Sequence, residues 1–116
     1  MGTVFHDAIV VTSWQREAIA SAISYALGLG LVCTEAVPYA MNTGWSFMIA
    51  PDGSKLGWEV REQHDIRRAV WIEWAEKQYA AGVYFDWAHV QFGSEREKRA
   101  EVVADNHDAA AKAGDA

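Results

Sequence analysis

Residues 31–50, LVCTEAVPYAMNTGWSFMIA, decide how the chain is read. Two strand-like runs, 31–40 and 45–50, flank the turn residues Asn42-Thr43-Gly44. In the second run Trp45, Phe47 and Ile49 alternate with Ser46, Met48 and Ala50, which gives one strongly apolar face. Pro38 has no backbone N–H to donate, so the first run belongs at a sheet edge. Upstream, residues 3–11 (TVFHDAIVV) read as a strand, followed by a helix over 14–27. Trp14, Ala18, Ala22 and Ala26 recur every four residues, with Ile19 and Ile23 beside them. Thr12 and Gln15 have capping-box spacing, and Gly28 and Gly30 end the helix.

Downstream, Pro51-Asp52-Gly53-Ser54 is a turn, and its Asp-Gly favours a hairpin with a short returning strand at 55–58. A second helix is expected over 62–80, ended by Gly82, and a last strand over 83–92. Ile66, Val70 and Trp74 make one apolar stripe on the second helix. Trp71, Ala75 and Tyr79, with Ile72 beside them, make another, so this helix should be covered on two sides. The order βαββαβ predicts an α+β fold, a two-layer ferredoxin-like sandwich with strands one and three central and strands two and four at the edges.

The 116 residues fit one domain over 1–93, followed by a charged, Ala-rich tail over 94–116. The tail is either helical, with Glu95 and Arg99 as a pair, or disordered. Ten basic and sixteen acidic residues give a net charge of −6. Four basic and six acidic residues in the tail contribute −2 of this, so the acidity is spread over the chain. It argues against a nucleic-acid partner, which phosphate charge would attract to a basic surface. A single cysteine excludes an internal disulfide and cysteine-rich zinc sites. The start carries no basic leader, and no apolar run nears the ~20 residues of a membrane span. The expectation is a cytoplasmic protein with no membrane association, no metal and no cofactor.

No motif announces catalysis. Gly28-Leu29-Gly30 follows a helix and opens a strand, the reverse of a dinucleotide-binding context. Cys33 at a strand start reads as a small buried hydrophobe. Arg67-Arg68, with Arg61 nearby, is the one basic cluster of the domain. Glu62, Asp65 and Glu73 beside it predict surface ion pairs rather than an anion site. The last strand lacks the Lys/Arg-Gly-aromatic pattern of RNA-binding sheets. Among the histidines, His6 and His89 fall on the first and fourth strands, neighbours in the expected topology. With Asp7 they define a pocket for a small enzyme or ligand-binding domain.

Six tryptophans are the compositional oddity. Six such large rings are difficult to bury in one small domain. Trp71, Trp74, Trp87 and Phe85 are therefore expected to form an aromatic surface for a partner protein or a second copy. Their alternative is a Trp-rich core.

Three blocks, HDAIVVTSW (6–14), APDGSKLGW (50–58) and DWAHVQFG (86–93), occur in this order. The chain thereby resembles a group of small proteins encoded by tailed phages of actinobacteria. The resemblance covers residues 6–93 and carries no catalytic residue with it. It implies a phage or prophage accessory protein in the host cytoplasm, binding a host protein or itself, with a virion component as a further alternative.

Overall fold

The computed structural model describes residues 5–93 and 99–107. Strand β1 (Phe5–Ser13) leads into helix α1 (Arg16–Gly28), then β2 (Val37–Pro38) and β3 (Trp45–Ile49). Helix α2 (Glu59–Ala80), β4 (Asp86–Gly93) and β5 (Glu101–Asp105) follow. The result is an α+β fold with one five-stranded antiparallel sheet in the order β2-β3-β1-β4-β5. No helix among the described residues is long and apolar enough to cross a membrane.

Alternation along the strands sorts the side chains by face. Ile9 pairs with Ile49 and His89, and Val11 with Phe47 and Trp87. These residues point at the helices, where they pack with Ala18, Ile19, Ala22, Ala26, Trp71 and Ala75. The helices meet the sheet differently. The small residues of α1 let its alpha-carbons come within 8 Å of β1 and β3, whereas α2 approaches only α1 so closely. Long side chains fill the wider gap under α2. Trp71 and Arg68 are the largest side chains fully enclosed among the described residues.

Several expectations are corrected. β4 is not an edge strand, because β5 covers it. The tail is therefore neither wholly helical nor wholly disordered. Val102 and Val103 suit a strand, and the unpaired edge of β4 offers its backbone groups. Asn106 extends the pairing, accepting from the Trp87 N–H at 3.2 Å. The sheet thus runs past the expected domain end at 93. Residues 94–98 and 108–116 lie outside the described residues. So do Glu95 as a partner of Arg99 and the first two residues of the expected strand 3–11.

The second strand is only two residues long. Met48 donates its N–H to the Thr34 hydroxyl at 2.8 Å rather than to a backbone carbonyl, so the ladder breaks there. Cys33 keeps a single bridge to Ile49. The returning strand at 55–58 is absent. Asp52 and the Ser54 carbonyl are held by Arg68 and Arg61 instead, and Gly57 takes a φ of +89° as the chain turns into α2. α2 consequently starts at Glu59, ahead of the expected position. Thr12 stays in β1, where its hydroxyl donates to the Trp45 carbonyl, so it caps nothing. Ser13 Oγ instead accepts from the Gln15 N–H at 3.0 Å.

Candidate functional site

Between β1, β4 and the first half of α2 lies a cleft of about 380 Å³. Its centre is Asp7, a buried carboxylate whose two oxygens are both engaged. Oδ1 accepts from His89 Nε2 and from Gln91 Nε2, each at 2.8 Å. Oδ2 accepts from Arg61 and lies 3.7 Å from Arg68 Nη2. Asp7, His89 and Gln91 share the helix-facing side because Asp7 pairs with Gln91 and Ile9 with His89 in one register. Arg61 and Arg68, two turns apart on α2, point to the same line.

The arginines carry the network outward. Asp65 accepts from both of them. Asp52 Oδ1 is 3.3 Å from Arg68 Nη1, and Ser54 Oγ donates to the other Asp52 oxygen. Arg61 also donates to the carbonyls of Phe5 and Ser54. Three carboxylates thus face two guanidinium groups. Burial works to raise the Asp7 pKa, but the hydrogen bonds from His89 and Gln91 and the charges of Arg68 and Arg61 outweigh it. Together they hold the carboxyl at about 2. Asp52 is likewise lowered, against its own burial, by Ser54 and Arg68.

This geometry sets the roles. Asp7 stays ionised at any ordinary pH with both oxygens engaged by protein groups, so it is a fixed anchor that orients His89. The His89 ring lines the cleft together with Phe5, Leu56 and Ile72. With Nε2 on Asp7, its Nδ1 has no hydrogen-bond partner among the described residues. A histidine steered by a buried carboxylate can accept a proton or a hydrogen bond from a small molecule. Among the described residues no three His, Cys, Asp or Glu side chains group as metal ligands would. Burial pushes the Cys33 thiol up, away from nucleophilic use.

Of the expected pocket, His89 and Asp7 converge and His6 does not. His6 is the neighbour of Asp7 on a strand, so it points to the opposite face. There its ring lies 5.3 Å from that of Phe92. Arg61 and Arg68 form the expected pairs with Asp65, yet both are buried rather than on the surface. Their spacing of seven, matched by Ala75 a further seven on, was the available signal of a shared inward stripe.

The expected aromatic surface is also corrected. Trp71, Trp87 and Phe85 are buried at 0%, 3% and 8% exposure, and Trp74 packs half-buried against them. Trp71 contacts Trp74, Phe85 and Trp87 at ring-centroid distances of 5.9–6.3 Å. Its indole N–H donates to the Ala22 carbonyl at 3.1 Å. A gap too wide for aliphatic residues takes rings, so these four are core.

A different set of rings reaches solvent. Trp14 stacks on Tyr84 at 6.1 Å, and Tyr79 meets Tyr84 edge-on at 5.6 Å. Trp14 is 59% exposed and both tyrosines are 41% exposed. Gln15 and Ser13 secure this corner, bonding the Tyr84 N–H and carbonyl at 3.1 and 2.6 Å. No family model, no curated protein and no solved structure matches the chain.

Proposed function

We propose that the protein is a non-catalytic accessory protein of a phage or prophage, acting in the host cytoplasm, and that it grips a host protein through Trp14, Tyr79 and Tyr84. The observation that carries this reading is the exposure of three mutually packed rings at one corner, held by Gln15 and Ser13. Rigid, amphipathic rings of this kind dominate binding energy at protein interfaces. The charge of −6 suits a basic partner. The three sequence blocks at 6–14, 50–58 and 86–93 support the phage origin. The order β2-β3-β1-β4, with both helices on one face, supports a ferredoxin-like core to which β5 is an addition.

The test is site-specific photo-crosslinking in host cells. A photoreactive residue at position 14 or 84 should form one discrete adduct, and the same residue at the exposed Glu73 should not. Replacing Tyr79 and Tyr84 by Ala should abolish the adduct from position 14. If position 14 captures no more than position 73, the reading fails.

The convergence of Asp7 and His89 favours a second reading, a small-ligand site in the charged cleft. A compound that raises the melting temperature of the wild type but not of His89→Gln would support it. A binding compound indifferent to that substitution would count against it.

A further inference from the structure

The sheet face away from the helices carries a second, unrelated surface. Neither helix packs on it, although Ala8 within it is buried. Val10 is 45% exposed in its centre, and Val37 and Val102 are 60% and 58% exposed near its two edges. Toward the Thr12–Asp86 end lies a hollow of about 600 Å³ walled by Val10, Val37, Met48 and Ala88. Toward the other end Phe92 and Val102 are 39% and 58% exposed. An apolar sheet face is ordinarily closed by another layer.

We propose that a second copy of this chain closes the face, with the sheets packed face to face about a two-fold axis. The face is self-complementary in the sense that symmetry requires. Exposed Phe92 and Val102 lie toward one end and the hollow toward the other, so a two-fold sets Phe92 and Val102 of each copy against the hollow of its mate. Asp86, Asp105 and His107 line the end of the hollow. The accessible centre, Val10, Met48, Ala88 and Val90, is uncharged, so two copies of an acidic chain can meet there without repulsion. A basic partner would instead be drawn to the acidic residues elsewhere on the chain.

The size reaches the threshold of a specific interface. The strands contain 29 residues in all. At a rise of about 3.3 Å and a spacing of about 4.8 Å, they span on the order of 500 Å². Two copies would then bury about 1,000 Å², the lower bound of a specific interface. Such a dimer would present the Trp14 corner twice and so add avidity to any partner contact. The dimer stands whether or not that corner binds anything.

Sedimentation equilibrium across a concentration series tests this. The wild type should pass from the 12.9 kDa chain mass to twice that value. Val10→Lys sets two like charges in the centre and should weaken the dimer by at least ~100-fold. Phe92→Ala should weaken it about tenfold by emptying the hollow. Near-UV circular dichroism of the tryptophans verifies that each variant is folded. Val102→Lys, at a more exposed position, serves if Val10→Lys misfolds. A wild type that stays monomeric to about 1 mM overturns the proposal, as would uptake of an apolar dye by a monomer whose face awaits another occupant. A dimer that survives both lysine variants but dissociates in Ile66→Lys lies on the exposed stripe of α2 and overturns it equally.

Discussion

The layer between α2 and the sheet has two halves built on opposite chemistry. Toward the C-terminal half of α2, Trp71, Trp74, Phe85 and Trp87 fill the space with rings. Toward its N-terminal half, Arg61 and Arg68 fill a gap of the same kind with guanidinium groups fixed by Asp7, Asp52 and Asp65. The change of character runs along each neighbouring strand. β1 passes from Val11 through Ile9 to Asp7, and β4 from Trp87 through His89 to Gln91. Rings tolerate small shifts, because dispersion and the hydrophobic effect are weakly directional. Ions do not, because a buried charge that loses its partner is left uncompensated. The aromatic half therefore supplies most of the stability. The charged half fixes where α2 sits, since only one placement brings both arginines to Asp7.

Substitutions that attack each half in turn should separate these roles. The largest loss is expected from Trp71→Ala, about 4–5 kcal/mol in chemical denaturation, from a large cavity and a lost hydrogen bond to Ala22. Asp7→Ala should follow at about 3–4 kcal/mol, because it strands two buried guanidinium groups. The pair Asp7→Leu, Arg61→Met should recover part of that loss. If the pair proves worse than Asp7→Ala alone, the charged half is a net source of stability and the contrast is wrong.

Acid should act on one half only. The Asp7 carboxyl sits at about 2 when folded and at its ordinary 3.8 when unfolded, so its contribution is complete above about pH 4. It falls away as pH drops through 2 and amounts to about 2 kcal/mol. Asp7→Asn should flatten that part of a stability-versus-pH curve, whereas Trp71→Phe should leave its shape intact. The smallest effect is expected from His89→Gln, about 1 kcal/mol in thermal or chemical unfolding. One of four groups around Asp7 is exchanged there for another donor.

Local pattern sufficed where one neighbour decided the outcome. The four-residue spacing of Ala18, Ala22 and Ala26 marks the buried side of α1, and the alternation of Trp45, Phe47 and Ile49 marks β3. Strand adjacency put His6, Asp7 and His89 under one expectation, but parity places only Asp7 on the face of His89. The arginines were not legible as interior, because charge at helical spacing beside acids ordinarily means a solvated face. Nothing in residues 59–80 says that α2 stands off the sheet. The burial of Trp71, Phe85 and Trp87 was hidden for the same reason. A wide gap swallows rings that a close-packed layer would have left outside.

By itself, then, the sequence determined the two helices, the pairing parity of β1, β3 and β4, and an acidic chain without a recognisable catalytic motif. These depend on periodicity and composition, which are local or additive. Only the tertiary structure decided that β5 covers β4, that Trp71 is core while Trp14 is surface, and that Arg61 and Arg68 are interior. It alone brought Asp7, Asp52 and His89 together from positions far apart in the chain. Each of these depends on the distance between layers and on which edge is left unpaired. Those quantities exist only once the whole chain has packed.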